Sequence, residues 1–547
     1  MQKFLREERV TDYIMPVKLK RVSGKISNAE TLLKQKLPQI GLIEPDAMLS
    51  EGAGHIILDF GRELSGGIRI LTNRAEGNTK IRIRFGESLT ETCAELIGKS
   101  EKATATNDHS LRDFETNLVF MSDMKFGDSG FRFVRIDFPE GGIFTIKNIY
   151  AAYQHRNLKR LGSFECSDNV INKIFDVSAY TVELCMQNRL WDGIKRDRLV
   201  WIGDTHPEML SIVSLFGADK CIEEALEFAR VEAPLPAFMN GIPAYSLWWL
   251  TIISDYYLHN ANIEFLKKEK DYILALVKHF DSLLDKEGNI DFGNAFASFF
   301  LDWPTAESKE KKAGVYALFA YALEKTKLIF SALGEDTAIL DAMLKRLNKS
   351  LDGGALKQLN AMRVLAGFVS PKDMVGKQLE GGAKGLSTFM SYYILSSIAK
   401  AGRTKDALII MKDYYNAMLI RGATSFWEDF NMNWLEGSGS IDEFPAPGQK
   451  DIHGDYGAHC YIGFRHSLCH GWSSGPVPFL MHYILGVKAL DVGCKSVSFK
   501  PNLCGLEYAK GTYPTPYGVI KVELKNIGGK TDAKITAPKE IKIIKET

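Results

Sequence analysis

At 547 residues the chain is too long for one small module, and a prior of roughly 150 residues per domain predicts three or four domains. Hydrophobic residues make up 45% and charged residues 25%, which is typical of globular domains and excludes disordered, collagen-like and coiled-coil classes. The formal net charge is +1, with 68 Lys plus Arg against 67 Asp plus Glu, so no overall field attracts nucleic acid or an anionic membrane.

The amino-terminal segment, residues 1–18, alternates charged and apolar side chains, and no apolar core with a small-residue cleavage site predicts a secretory signal. The longest apolar stretch, residues 242–258, is interrupted by polar side chains and is predicted to be a buried helix instead of a membrane span. The eight cysteines form no CxxC pair, which favours reduced, buried thiols. These features favour a cytoplasmic or periplasmic location with no membrane partner.

Residues 52–153 read as short strands separated by turn residues. In TKIRIRFGE, Ile81, Ile83 and Phe85 alternate with arginines, so one face is predicted to be buried and the other wet. The later runs 130–138 and 143–153 are rich in aromatic and β-branched residues. The pattern predicts an antiparallel β-sandwich.

After Ser163 the apolar period becomes helical. Helices are predicted at 167–186, 206–230, 243–260, 263–285, 313–333, 336–350, 388–401 and 405–420. Such a succession of helical hairpins must bury its apolar faces, and a closed ring of paired helices is one solution. Strand signals return at 496–501 and 517–526 and predict a small C-terminal β domain.

The densest cluster of charged side chains is NRLWDGIKRDRLVWIGDTHPE, residues 188–208, just ahead of a predicted helix. Its candidate residues are Asp192, Asp197 and Asp204 with Arg189, Arg196 and Arg198. Two carboxylates on either side of a glycosidic bond are what sugar hydrolysis needs, and nearby arginines can hold one carboxylate ionised. The alternative is a structural salt-bridge cluster with capping aspartates.

A second segment, residues 422–444, places Glu428 beside Trp427, and FFLDWPT places Asp302 beside Trp303. A tryptophan next to a carboxylate is common in sugar sites, because the apolar face of a pyranose stacks on the ring while its hydroxyls bind the charge. Trp248 lies in another aromatic stretch, 242–259, and is either core or a further wall of the same pocket.

A third segment, residues 451–476, holds His453, His459, Cys460, His466 and His470. The spacing has neither a CxxC knuckle nor an HExxH helix, so no metal site is predicted. The segment is instead predicted to be a pocket-lining loop in which one or two histidines donate hydrogen bonds to a polar ligand.

With these motifs in view, the sequence resembles the bacterial α-L-rhamnosidase family, glycoside hydrolase family 78, over nearly its whole length. The resemblance rests on ILDFGRELSGGIRI with IRIRFGESLTE and GFRFVRIDF, then DGIKRDRLVWIGD, then GATSFWE with SLCHGWSSGP. It implies a multi-domain α plus β protein, with an (α/α)6 barrel catalytic domain flanked by N-terminal and C-terminal β-sandwich domains. The expected boundaries are 1–160, 161–487 and 488–547.

The resemblance also implies roles for individual residues. The family's sugar-binding and acid motif falls on Asp192, Arg196, Asp197, Trp201 and Asp204, its general base on Glu428, and a pocket histidine on His470. One departure concerns the acid: the family has Asp then Glu between two arginines, whereas only Asp197 stands between Arg196 and Arg198.

The resulting hypothesis is an inverting glycoside hydrolase that releases terminal α-L-rhamnose, or a related deoxy or L-sugar, without a cofactor. Asp197 is the expected acid and Glu428 the expected base, with carboxyl groups roughly 6.5–9.5 Å apart. The expected substrate-binding residues are Asp192, Arg196, Trp201, Asp204, Trp248, Asp302, Trp303, Trp427 and His470.

Two alternatives stay open. A non-catalytic carbohydrate-binding protein would bind sugar without releasing any product, and the shortened acid motif motivates this interpretation. A lyase or epimerase on the same barrel would use a Tyr or His base and form unsaturated or isomerised products. The exact sugar, the linkage and the oligomeric state are not predicted.

Overall fold

The computed structural model describes residues 8–95, 112–295, 297–459 and 461–546. Cys460 and the first seven residues of the amino-terminal segment lie outside these ranges. Every described cysteine is free of a disulfide bond. None of the described helices is both long and apolar enough to cross a membrane.

The N-terminal part forms one antiparallel sheet of seven strands in the order β1-β7-β3-β6-β4-β5, with β2 also paired to β3. The strands are β1 (Arg9–Ile14), β2 (Lys18–Ser27), β3 (Met48–Gly77), β4 (Lys80–Gly86), β5 (Asp113–Asn117), β6 (Ser122–Phe138) and β7 (Gly142–Arg156). The runs HIILDFG and GGIRILTN, predicted as separate strands, are both part of β3, whose register shifts between Asp59 and Leu64.

The face of β4 that was predicted to be solvent-exposed is only partly exposed. Ile81, Ile83 and Phe85 are buried as expected, but Arg84 on the opposite face is buried too. Its guanidinium lies 2.7 Å from the Asp137 carboxylate on the neighbouring strand, and this ion pair compensates the buried charge. The prediction was wrong for Arg84 because the alternation of side chains does not reveal which charges are paired.

Twelve α-helices follow within the described residues. They are α1 (Asn169–Cys185), α2 (Thr205–Leu215), α3 (Lys220–Glu232), α4 (Pro243–Asn260), α5 (Ile263–Ser282), α6 (Lys311–Ala332), α7 (Ala338–Arg346), α8 (Lys357–Leu365), α9 (Pro371–Leu379), α10 (Ser391–Lys400), α11 (Thr404–Leu419) and α12 (Pro476–Tyr483). The predicted helix 206–230 is two helices, because Gly217 adopts a left-handed conformation (φ 79°) and the Asp219 side chain caps α3.

The even-numbered helices pack side by side in a closed ring: each contacts the next from α2 to α12, and α12 contacts α2. These helices are buried on nearly all sides, as shown by α4, where 16 of 18 residues are buried. The odd-numbered helix α5 buries only 6 of its 20 residues and packs outside α4. The ring therefore creates a central core, and the loops at its two ends are free to form sites.

Two small sheets complete the chain. Their strands are β8 (Ser163–Cys166), β9 (Val487–Ala489), β10 (Ser496–Phe499), β11 (Tyr508–Thr515), β12 (Gly518–Ile527), β13 (Lys530–Thr536) and β14 (Lys542–Lys545). The orders are β14-β10-β9 and β13-β12-β11-β8. The chain after Ser163 therefore first adds an edge strand to the C-terminal sheet and becomes helical only at Asn169. The result is a mixed helix-and-sheet, multi-domain fold.

Candidate active site

A cavity of about 660 Å³ opens at one end of the helical ring, beside the amino-terminal ends of α2, α4, α6 and α12. The residues that line it are Asp192, Arg196, Asp197, Trp201, Asp204, Ile242, Tyr245, Ala297, Ser298, Phe299, Phe300, Trp303, Ala306, Glu307, Lys311, Glu428, Tyr461, Arg465, His470 and Trp472. The cavity is thus lined by charged and aromatic groups together. This composition suits a polar ligand that also has an apolar face.

The loop before α2 is folded tightly at its base. The backbone N–H of Asp192 donates to the carbonyl of Leu199 at 3.0 Å, and the N–H of Leu199 donates to the Asp192 carboxylate at 2.9 Å. At the tip, Asp197 and Arg198 both have positive φ values, 56° and 52°. Two consecutive left-handed residues other than glycine are costly, and such strain is typical of functional loops.

Glu428 is fixed on both its backbone and its side chain. Its N–H donates to the carbonyl of Ser467 at 3.0 Å, and its carbonyl accepts from the Trp472 indole at 2.9 Å. Its carboxylate accepts from the Ser467 N–H at 3.1 Å and, through both oxygens, from the guanidinium of Arg196. Glu428 is only 2% exposed, so these donors replace water around its charge.

Arg196 joins the two carboxyl groups predicted as acid and base. One terminal nitrogen, Nη2, bonds Glu428, while Nη1 lies 3.1 Å from Asp197 Oδ1. The Nε atom donates to the carbonyl of Arg465 at 2.8 Å, which fixes the plane of the guanidinium. Burial raises the pKa of Glu428, but Arg196 and His470 outweigh it and bring the pKa below the ordinary value. Glu428 is therefore an ionised carboxylate at neutral pH.

His470 lies among three carboxyl groups. Its Nε2 atom is 3.4 Å from Glu428, 3.7 Å from Asp192 and 3.9 Å from Asp204. Burial lowers the pKa of His470, but the neighbouring carboxyl groups, Glu428 above all, outweigh burial and raise it overall. The imidazole is thus protonated more readily than usual. Its positive charge reduces the repulsion between the three neighbouring carboxyl groups.

Asp204 differs from Glu428 because, within the described part of the chain, no arginine forms an ion pair with it. Burial raises the pKa of Asp204 to about 8, although His470 and the hydroxyl of Tyr245, which donates at 2.9 Å, oppose this. Burial also raises the pKa of Asp192. At pH 7 the cavity therefore contains a protonated carboxyl group at Asp204 and an ionised one at Glu428, which is the kind of separation that acid–base chemistry uses.

Two tryptophans form partly exposed walls of the cavity. The indole of Trp201 donates to Asp197 Oδ2 at 3.2 Å, and its ring contacts Tyr245 edge-on. The indole of Trp303 donates to the hydroxyl of Tyr461 at 2.6 Å. The Trp303 ring also stacks on His459, with centroids 5.7 Å apart, so the surface that each tryptophan offers a ligand is the part of its ring that lines the cavity.

Three residues predicted to bind substrate do not line the cavity. Trp248 is fully buried in the ring core, where it packs against His206 and Tyr393. Trp427 is 1% exposed and packs against Phe430. Both rings lie away from the cavity because adjacency to a polar residue in sequence does not decide which way an aromatic side chain points, and their contact with substrate stays a prediction.

Asp302 is the third of these residues. It is buried, and its carboxylate accepts hydrogen bonds from the Trp303 N–H at 2.8 Å and from the Ser387 hydroxyl. It therefore caps the short turn that carries Trp303. The aspartate thus supports a residue that does line the cavity, and its own contact with substrate stays a prediction.

Sequence reasoning missed Tyr245, Tyr461 and Trp472, which all line the cavity. Tyr245 is a polar aromatic residue near the start of an apolar helix, and that position was its only signal. Tyr461 and Trp472 lie in the histidine-rich segment, in which the histidines were the predicted ligand-binding residues.

The histidine-rich segment is divided between two places. His470 lines the cavity, whereas His453 is buried beneath it with Glu87 and Glu91. Among the described residues, those three are the one group whose ligand atoms lie close enough, within 4.8 Å, to hold a metal ion. The Lys195 ammonium is 3.0 Å from Glu87 and 3.2 Å from Glu91, so a cation already balances this group.

Three family models match the chain. They are the six-hairpin glycosidase domain of bacterial alpha-L-rhamnosidases at residues 159–349, the concanavalin-like domain at 50–149 and the C-terminal domain at 486–543. The curated alpha-L-rhamnosidase of Alteromonas sp. (strain LOR) is 24% identical over 94% of this chain and 58% of its own length. That of Formosa agariphila is 25% identical over 31% of this chain and 18% of its own. The chain thus spans little more than half of the longer match.

Solved structures of rhamnosidases share the fold. A family 78 rhamnosidase of Bacillus sp. GL1 matches with a TM-score of 0.74 and 22% identity, over 94% of this chain and 55% of its own. A rhamnosidase from Klebsiella oxytoca with rhamnose bound matches with a TM-score of 0.66 and 18% identity, over 87% of this chain and 96% of its own. At these identities the similarity concerns the fold.

Proposed function

The chain belongs to the bacterial alpha-L-rhamnosidase family, and from this premise we propose that it is an inverting glycoside hydrolase that releases terminal α-L-rhamnose or a related deoxy or L-sugar. The observation that carries the proposal is the carboxylate of Glu428, buried and held ionised by Arg196, on the same cavity as Asp197. Named relatives that are alpha-L-rhamnosidases support the choice of sugar.

The proposal includes an architecture. The closed ring of even-numbered helices with odd-numbered helices outside it supports an (α/α)6 barrel, between N-terminal and C-terminal β-sandwich domains. We place the domains at 1–160, 161–487 and 488–547. The strand β8 is the exception to this division, because it lies in the central range and pairs with β11 of the C-terminal sheet.

The proposed chemistry needs two proton transfers. Asp197 donates a proton to the glycosidic oxygen as the bond from that oxygen to the anomeric carbon breaks. Glu428 accepts a proton from a water molecule, whose oxygen forms the new bond to the anomeric carbon from the opposite face. The configuration at that carbon is thereby inverted. The indole N–H of Trp201 donates to Asp197 Oδ2, and Arg196 Nη1 lies 3.1 Å from Oδ1, so both oxygens of the proposed acid are held in place.

The remaining cavity residues bind the sugar in this proposal. Asp192, Asp204 and His470 supply hydrogen bonds to hydroxyl groups at the buried end. Trp201 packs against the methyl group of the deoxy sugar, and Trp303 stacks on the part nearer the opening. The partner is a small carbohydrate.

A panel of para-nitrophenyl glycosides tests the proposal. We expect the α-L-rhamnoside to be hydrolysed faster than matched α-L-fucoside and β-D-glucoside. Proton NMR during the first minutes should show the β anomer of the released sugar before mutarotation. Release of the α anomer would contradict inversion. No release of sugar from any glycoside would contradict the proposal that the protein is a glycoside hydrolase.

The second candidate is a non-catalytic carbohydrate-binding protein. The shortened motif favours it, because Asp197 is the one acidic residue between Arg196 and Arg198 and already forms an ion pair with Arg196 at 3.1 Å. Titration calorimetry with L-rhamnose separates the candidates. Measurable binding together with no product from any rhamnoside would support the binding protein.

The raised pKa of Asp204 predicts a loss of activity in alkaline solution. Since this pKa is about 8, the carboxyl group is neutral at pH 7 and ionises as the pH rises above 8. Ionisation then puts a further negative charge beside Asp192 and Glu428. We expect kcat/KM to fall above pH 8 and the Asp204→Asn variant, whose amide stays neutral, to lose this alkaline decline.

The exposed Asp373 on α9 provides the control. Its Asp373→Asn variant should keep the alkaline decline of the parent protein. An unchanged decline in Asp204→Asn would show that another group titrates.

The different positions of two tryptophans predict different defects. Trp303→Ala removes a stacking surface, so we expect KM for the aryl rhamnoside to rise about threefold to tenfold. Trp248→Phe leaves a gap in the ring core, so we expect stability to fall by about 1–3 kcal/mol with little change in KM. Steady-state kinetics and thermal unfolding measure the two effects, and a reversed pattern would contradict the assignment.

A further inference from the structure

A buried ionic cluster lies directly beneath the active site. The ammonium of Lys195 is 3.0 Å from Glu87 and 3.2 Å from Glu91, and all three residues are at most 1% exposed. The ammonium also donates to the carbonyls of Phe464 at 2.8 Å and His466 at 2.5 Å. A buried ammonium is very costly without such partners, so the carboxylates are needed to keep Lys195 in place.

The members of the cluster come from three distant segments. Glu87 and Glu91 follow β4 of the N-terminal sheet, whereas Lys195 directly precedes Arg196 in the loop before α2. Phe464 and His466 lie just before Ser467. The cluster thus joins the N-terminal sheet to both segments that supply donors to Glu428, namely Arg196 and Ser467.

Glu87 makes the more direct connection. One carboxylate oxygen accepts from the N–H of Leu468 at 2.6 Å, and the other accepts from the hydroxyl of Ser467 at 3.2 Å. The N–H of the same Ser467 donates to Glu428 at 3.1 Å. One serine therefore connects the carboxylate from the N-terminal sheet to the proposed general base.

We infer that Glu87 is a positioning residue for the proposed base: with Lys195 it fixes the backbones of Arg196 and Ser467, and so holds both donors on the Glu428 carboxylate. The active site is then shared between the N-terminal sheet and the helical ring. This inference rests on the proposed function, because it assigns Glu428 the role of base.

The Glu87→Gln variant tests the inference, since it keeps the shape of the side chain and removes its charge. We expect kcat to fall about tenfold to a hundredfold with little change in KM, because orientation of the base is lost while the sugar-binding residues remain. Glu87→Asp, which keeps the charge, should recover part of the activity. The matched control is Asp113→Asn, which removes a buried carboxylate of the same sheet that pairs with Arg82 and does not line the cavity.

The acidic limb of the pH profile for kcat distinguishes two effects of Glu87→Gln: displacement of the donors to Glu428, and loss of the Glu87 charge alone. Arg196, His470 and His466 face Glu428 and lower its pKa against the effect of burial. If Glu87→Gln displaces the donors, the pKa of Glu428 rises and activity is lost at a higher pH. Burial raises the pKa of Glu87 to about 7, so Glu87 is already neutral where Glu428 titrates, and loss of its charge alone would leave the limb in place, which would overturn the inference.

A crystal structure of Glu87→Gln gives a measurement that does not depend on activity. We expect the hydrogen bond from the Ser467 N–H to Glu428 to be lengthened or broken. An unchanged Glu428 environment, or an equal loss of kcat in Asp113→Asn, would overturn the positioning role. If the parent protein hydrolyses no glycoside, the proposed function is contradicted. The comparison of the two crystal structures then still tests whether Glu87 positions Glu428.

Discussion

Replacing Glu428 with glutamine is expected to lower kcat by about 10²–10⁴-fold while leaving L-rhamnose binding largely intact. The amide keeps the size of the side chain and can still accept from the Ser467 N–H, so the cavity should keep its shape. It cannot accept a proton from water, which removes base catalysis. Arg196 loses its ionic bond to Glu428 but keeps Asp197 at 3.1 Å, so its charge is not left alone in the protein interior. Steady-state kinetics with the nitrophenyl rhamnoside and titration calorimetry with L-rhamnose measure the two quantities.

The matched control is Glu436→Gln, an exposed glutamate eight residues along the same segment. Its kinetics should equal those of the parent protein. Sodium azide provides a further test, because an anion that needs no deprotonation can attack the anomeric carbon in place of water. Azide should then partly restore turnover of the nitrophenyl rhamnoside in Glu428→Gln and form a rhamnosyl azide. Full activity of this variant in plain buffer would exclude Glu428 as the base.

The helical part was largely predictable from apolar periodicity. The long helices α1, α4, α5 and α6 lie within two or three residues of the predicted bounds. Short helices give little periodic signal: α8, α9 and α12, of 8 or 9 residues, were missed, whereas α7, also of 9 residues, was predicted as 336–350 and is shorter than that. The closure of the ring was less accessible, since it depends on contacts between α2 and α12, which are more than 250 residues apart.

The candidate site was predictable as a set of segments. The loop before α2 and the segments around Glu428 and His470 do meet at one cavity. Other predicted members, such as Trp248 and Asp302, have suitable chemistry but lie outside the cavity lining, one buried in the core and the other capping a turn. Composition and spacing indicate which residues can bind a sugar. They do not indicate which side of a helix or turn a given residue faces.

The ion cluster beneath the site shows a different limit. Lys195 was part of the segment that sequence reasoning selected, yet it gave no sign of a partner more than 100 residues earlier in the chain. Glu87 likewise reads as an ordinary residue at the end of a strand. Such pairs become visible only when the fold brings a sheet and a loop together, because neither residue alone has a pattern that marks a buried charge.

Asp197→Asn is expected to affect substrates according to how much help their leaving groups need. A disaccharide must expel an alcohol that requires a proton, so kcat/KM should fall by about 10²–10⁴-fold. Nitrophenolate leaves readily without a proton, so the nitrophenyl rhamnoside should lose much less. The two substrates contain the same rhamnosyl group, and the difference between their losses therefore reports proton donation and not sugar binding.

Two further variants decide which side chain donates the proton. Asp128→Asn is the matched control, because Asp128 pairs with Arg198, the neighbour of Asp197, at 3.0 Å but does not line the cavity. Asp204→Asn tests the cavity carboxyl group whose pKa burial raises to about 8. If Asp197 is the acid, only Asp197→Asn shows the dependence on leaving group. If Asp204→Asn shows the dependence on leaving group instead, Asp204, at the amino-terminal end of α2, is the acid of this protein. In that case the ion pair of Asp197 with Arg196 serves only to hold the guanidinium against Glu428.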